Sequence, residues 1–170
     1  MLKKLATVIA LTIFVSAPVY AVGYYAGAKA GWVDPDVKGL DAAFNIGGLF
    51  GVEVKNADLS YGAELEITGT ASDGDASVGT FDGKWDVTTY ALYGVLKYGA
   101  TAYGKLKLGI LAEDVSVDIA GFNDDGSDEG LSGGVGVGYH LNEQVSVEAE
   151  ATMMEEDLVF YSLGINYSFY

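Results

Sequence analysis

Neither cysteine nor arginine occurs anywhere in the 170 residues. Without thiols the chain has no disulfide and no thiolate chemistry. Basic residues are scarce: nine lysines stand against 24 acids, a formal charge of −15. Lys3 and Lys4 lie at the start, so from Val22 onward seven lysines face all 24 acids, formally −17. Such a chain repels nucleic acid and bare anionic lipid, and both are set aside as partners. Long apolar runs are missing as well. The one that exists, residues 5–17, falls short of the ~20 residues a spanning helix needs. With Lys3 and Lys4 before it and Val19-Tyr20-Ala21 after it, it reads as a cleaved secretory signal peptide, residues 1–21. Residues 22–170 then form one domain.

What is present is alternation. Half of the residues are apolar and 24 are glycine, yet beyond the signal they interleave with polar residues. In residues 59–68, Leu59, Tyr61, Ala63, Leu65 and Ile67 oppose Ser60, Gly62, Glu64, Glu66 and Thr68. A period of two is a strand with one apolar and one polar face. The same pattern predicts eight strands, at residues 24–32, 42–54, 59–68, 85–98, 102–112, 131–141, 145–153 and 158–170. Connections after odd strands tend to be long and acidic, whereas those after even strands are tight. The two longest are residues 69–84 and 113–130. In the second, seven acids (Glu113, Asp114, Asp118, Asp124, Asp125, Asp128 and Glu129) are expected to hold a loop extended until cations screen them.

The apolar faces end in aromatics. Trp32, Phe44, Tyr90 and Tyr161 fall towards the long connections; Tyr24, Tyr61, Tyr98, Tyr139, Tyr167 and Phe169 fall towards the tight turns. Two aromatic belts separated by Ala, Val, Leu and Ile are what a membrane barrel carries at its interfaces. A soluble eight-stranded barrel would place the apolar face inside. The expected fold is therefore all-β: an eight-stranded antiparallel up-and-down transmembrane β-barrel.

The last strand makes the likeness specific. Ser162, Gly164, Tyr167 and Phe169 match a polar residue, a glycine and two aromatics spaced by one, with Tyr170 added after them. This ending is similar to the C-terminal assembly signal of bacterial outer-membrane barrels. The chain resembles the small eight-stranded barrels around the OmpA transmembrane domain, OmpX and the opacity-type proteins. The resemblance implies export to the cell outer membrane of a Gram-negative organism and delivery by the barrel assembly machinery. It implies surroundings of outer-membrane lipid and lipopolysaccharide, tight turns in the periplasm and a monomeric state. No wall-binding domain is expected after the barrel.

The polar face carries the candidate site. Long charged side chains fall on odd strands: Lys29 on the first, Glu64 and Glu66 on the third, Lys105 and Lys107 on the fifth, Glu148 and Glu150 on the seventh. At the same depth the even strands offer Asn45/Gly47, Thr89/Ala91, Gly134/Gly136 and Ser162/Gly164. An eight-stranded barrel is just wide enough for side chains to fill it. A lumen closed by alternating ion pairs, formally −1, is the expectation.

Catalysis finds little support. His140 lies at the tight-turn end facing the lumen, with no serine close by in sequence, so the expectation is no enzyme, no cofactor and no metal. The segment 123–129 (NDDGSDE) is oxygen-rich, but it lacks the ligand spacing and terminal Glu of an EF-hand loop. Loose bridging of acidic loops to phosphorylated lipopolysaccharide by divalent cations is the expected use. A structural or surface-interaction barrel is the favoured function, a narrow cation-preferring pore the alternative, and a lipid-modifying enzyme the least favoured.

Overall fold

The computed structural model describes residues 22–35, 40–78, 81–119, 122–155 and 158–169. The expected signal segment, residues 1–21, and Tyr170 lie outside the described residues. Among the described residues nine strands follow one another: β1 (Val22–Pro35), β2 (Ala43–Asn56), β3 (Leu59–Ser72), β4 (Gly74–Val78), β5 (Phe81–Tyr98), β6 (Ala102–Ile119), β7 (Phe122–His140), β8 (Val145–Glu155) and β9 (Leu158–Phe169). Each pairs antiparallel with its sequence neighbour, apart from β3 and β4. The pairings β1–β9 and β3–β5 close eight of them into a barrel. The ninth, β4, pairs only with β5, beyond the level at which β5 meets β3. In the closed part of the barrel each strand thus has a ladder partner on both sides, which a hydrocarbon environment demands.

Alternation decides which face is which. Leu106, Leu108 and Ile110 of β6 are exposed on the outside, while Lys105 and Lys107, alternating with them, are buried inside. The outer aromatics lie where the pattern puts them. Trp32, Tyr90 and Tyr161 are exposed towards the long connections, and Tyr24, Tyr61, Tyr98, Tyr139, Tyr167 and Phe169 towards the tight turns.

The two long connections are not loops throughout. Residues 69–72 continue β3, 74–78 form β4, and 81–84 begin β5. Residues 113–119 and 122–130, expected as an extended acidic loop, pair as a hairpin from Glu113↔Asp128 to Ile119↔Phe122. The hidden signal was Val115, Val117 and Ile119, three β-branched residues two apart that favour a pleated backbone despite the acids between them. As a result β5, β6 and β7 reach 18, 18 and 19 residues, against 11 and 12 for β8 and β9. A four-stranded sheet, β4–β5–β6–β7, therefore projects from one side of the barrel mouth.

Nor is the interior polar along its whole length. At the long-connection end Val33, Ala43, Trp85, Val87, Leu111, Met154 and Phe160 turn inward and pack as one apolar cluster. Trp85 anchors it by donating its indole N–H to the Asp41 carbonyl at 2.9 Å. Beneath this apolar cap lies a layer of Asn45, Thr68, Thr70, Thr89 and Ser132, and beneath that the charged centre.

Candidate functional site

The charged centre is built from four strands. β1 contributes Lys29, β3 Glu64 and Glu66, β6 Lys105 and Lys107, and β8 Glu148 and Glu150; all seven are buried. The structure brings all of them together. Lys29 Nζ lies 2.9 Å from Glu66 and 2.7 Å from Glu150. Lys105 Nζ touches three carboxylates, those of Glu64 at 3.0 Å, Glu148 at 2.9 Å and Glu150. Lys107 Nζ bridges Glu66 and Glu150, the latter at 3.1 Å. Small neighbours give these side chains room: Lys29 stands between Gly47 and Gly164, Lys105 beside Gly136 and Lys107 beside Gly134.

Carboxylate oxygens of Glu64, Glu66 and Glu150 lie within 4.8 Å of one another, a spacing that suits a divalent ion. In each case a lysine ammonium is already in contact, so the protein carries its own counter-charge there. Replacing one partner would leave a charge unpaired in a site closed to solvent, the costly situation for an ion pair.

Alternation places further residues on this inner face that sequence reasoning left out of the network. Lys97 Nζ lies 3.4 Å from Glu148 and 3.6 Å from Glu53, and Lys55 Nζ lies 3.0 Å from Glu53. With these three included, five lysines meet five glutamates and the formal sum is zero. The ammonium of Lys97 also sits over the rings of Tyr25, at 4.1 Å, and Tyr103, at 5.6 Å. Such contacts favour a desolvated cation.

Tyrosines knit the network together by one repeated device. Tyr25 on β1 faces Gly51 on β2, which faces Glu64 on β3, and the Tyr25 hydroxyl donates to Glu64 at 2.7 Å. Tyr103 on β6 faces Gly138 on β7, which faces Glu148 on β8, and its hydroxyl donates to Glu148 at 2.6 Å. Tyr93 on β5 faces Gly109 on β6, which faces Ser132 on β7, with the two hydroxyls 2.8 Å apart. Each ring reaches across a strand that has no side chain at that point. A Cβ on Gly51 or Gly138 would fall inside the tyrosine ring. Parity with Lys29 and Lys105 marked Tyr25 and Tyr103 as inward, but the intervening glycine is a fact of register, which one strand's sequence does not contain.

The tight-turn mouth holds a cavity of about 180 Å³ lined in part by Glu53, Lys55, Lys97, His140, Ser146 and Asn166. His140 packs against Tyr103, with ring centroids 4.9 Å apart and the planes tilted by 39°. It stands opposite Ser146 in the β7–β8 pair, a neighbour its local sequence does not reveal. The Ser146 hydroxyl lies 3.3 Å from that of Tyr103, whose one proton goes to Glu148. At the chain end, Ser162 and Gly164 face the lumen, whereas Tyr167 and Phe169 face outward as a pair of rings 5.2 Å apart.

The family model described as "Outer membrane protein beta-barrel domain" matches residues 6–169. No curated relative matches the sequence. Among solved structures, the chain is similar to Neisserial surface protein A, at 12% identity, covering 87% of this chain and 97% of that one with a TM-score of 0.54. It is similar to Ail, the attachment invasion locus protein of Yersinia pestis, solved in complex with the heparin analogue sucrose octasulfate: 17% identity, 87% and 97% coverage, TM-score 0.57. The N-terminal β-barrel domain of Pseudomonas aeruginosa OprF matches at 14% identity, 86% and 97% coverage, TM-score 0.58. At these identities the likeness is one of fold.

Proposed function

Since the chain belongs to the outer-membrane protein β-barrel domain family, we propose that it is a surface-presenting barrel: a plugged membrane anchor that holds an acidic sheet outside the cell. The projecting sheet carries this reading. Three strands run well past the barrel wall; where β6 and β7 leave it they bear exposed Asp114, Asp128 and Glu129, and the single lysine of the projecting part of β5, Lys84, already lies 3.8 Å from Asp73. Long connections face outward in bacterial outer-membrane barrels, which supports a sheet at the cell surface with the tight turns in the periplasm. Residues 1–21 would direct export and be removed.

The interior supports an anchor over a pore. Ion pairs fill the centre, and the apolar cap lies between them and the outside, so an ion entering from that side meets no polar partner. An enzymatic role gains no support from His140, whose ring packs against Tyr103. A monomer fits a barrel whose strands leave no open edge within the membrane. Beside phosphorylated lipopolysaccharide the acidic sheet would be bridged loosely by divalent cations. Ail is solved with a heparin analogue, but a polyanion is the wrong sign of ligand for this surface.

Two measurements test the reading. Cysteine placed at Ser127 should react with an impermeant maleimide on intact cells, and planar-bilayer recordings should show no steady conductance. A label that reacts only after cell disruption would reverse the orientation; large stable openings would make the protein a pore.

A further inference from the structure

The projecting sheet has one edge that no described strand covers. β7 pairs with β6 from Phe122 to Tyr139, but with β8 only from Gly133↔Met153. Residues 122–132 therefore have a strand on one side alone. Which groups face the open side follows from one bond: the His140 N–H donates to the Thr101 carbonyl, on the β6 side, at 2.8 Å. Successive residues of a strand turn their N–H and C=O to opposite sides. No register shift interrupts the β6–β7 pair. Even-numbered residues of β7 thus bond β6, and Ser127, Glu129 and Leu131 turn theirs outward. The Glu129 N–H shows the consequence, since it donates to the Asp128 side chain at 2.7 Å rather than to a strand. Residues 126–131 are all exposed.

Such an edge is a template for another chain, limited by its side chains. Here they are acidic. β7 carries exposed Asp128 and Glu129, and β6 beside it exposed Asp114, without a lysine in either stretch. A second copy adding on the same edge would set acid against acid, which disfavours it. The opposite edge of the sheet, β4, is shorter and partly occupied, because the Asp41 N–H donates to the Asp75 carbonyl at 2.8 Å.

Resting on the surface reading above, we infer that the free edge of β7, residues 126–131, is a docking strand for an extended, lysine- or arginine-rich polypeptide segment. The segment adds as a fifth strand. Backbone bonds to Ser127, Glu129 and Leu131 provide the pairing, and the flanking acids select a basic sequence. Binding displaces the Asp128 cap from the Glu129 N–H, and that carboxylate is then free to meet the incoming cation.

The test uses the full protein in lipid nanodiscs and two synthetic ten-residue peptides of equal charge, one alternating lysine with valine, the other alternating lysine with proline, which cannot form a ladder. The lysine–valine peptide should bind, protect the Ser127, Glu129 and Leu131 amides from hydrogen exchange, and weaken with salt. Ser127→Pro, which removes an edge donor without altering charge, should lower its affinity about tenfold. A barrel that keeps its heat-modifiable mobility shows that the variant is folded. Equal binding of both peptides, or binding unaffected by Ser127→Pro in a folded barrel, would reduce the edge to diffuse electrostatics and overturn the inference. So would absence of binding. If the maleimide label on cells fails while the peptide still pairs in nanodiscs, the surface reading falls and the docking strand stands.

Discussion

Tyr25 donates its hydroxyl to Glu64 across the bare backbone of Gly51, at 2.7 Å and three strands wide. The same reach joins Tyr103 to Glu148 over Gly138. These two carboxylates also hold Lys105, so the tyrosines act as struts between the ion pairs and the wall. Because the struts lie flat across glycine, the lumen is filled at a level where the strands carry little side-chain volume.

Removing one strut tests its worth. Tyr25→Phe keeps the ring over Gly51 and deletes only the bond to a buried carboxylate, so it should cost about 1.5–3 kcal/mol. Urea unfolding in lipid vesicles reads this directly. Gly51→Ala should cost at least as much, since its Cβ displaces the ring. Wild-type midpoints for both would deny the strut any role.

Charge deletion asks whether the centre is dry. Lys107→Met leaves Glu66 and Glu150 with fewer partners; the loss should reach roughly 3–5 kcal/mol in a dry network and only about 0–1 kcal/mol where water enters. The side chain is 2% exposed, which points to the larger figure. The same variant should show brief cation-selective openings in bilayer recordings. A barrel as stable and as silent as the original would mean that the pairs contribute nothing.

The apolar cap is separable from the network below it. Trp85→Ala empties a buried site and should cost about 3–5 kcal/mol, while leaving conductance absent because the ion pairs still fill the centre. Steady current in this variant would make Trp85, not the charges, the barrier.

Assembly is expected to depend on the outward aromatics of β9. Phe169 pairs with Tyr24 and packs on Tyr167, so Phe169→Ala removes both a closing contact of the barrel and an aromatic of the expected terminal signal. The variant should accumulate in the periplasm as degradable chain. Fractionation that finds it folded in the outer membrane at normal level would separate this residue from assembly.

Pairing, rather than cation screening, should protect the acidic hairpin. Proteolysis on intact cells within residues 113–119 and 122–130 is expected to be slow with or without millimolar calcium, since each residue there has a ladder partner on the adjoining strand. Fast cleavage that calcium suppresses would restore the charged loop expected from composition alone.

How much of this was legible in the sequence depends on the range of the physics involved. Alternation is local, so the barrel, its outward aromatics and the inward set of Lys29, Glu64, Glu66, Lys105, Lys107, Glu148 and Glu150 could be read from residue parity. Lys97, Tyr25 and Tyr103 shared that parity, yet what they touch depends on neighbours two strands away. The acids of 113–130 concealed a hairpin because composition outweighed the weaker signal of Val115, Val117 and Ile119. Pairing register remained for tertiary structure to decide: it set Gly51 between Tyr25 and Glu64, gathered Trp85, Met154 and Phe160 into one cap, and left the edge of β7 open. Register is chosen by the whole closed sheet at once, since each strand must satisfy two partners, and no single stretch of sequence carries that condition.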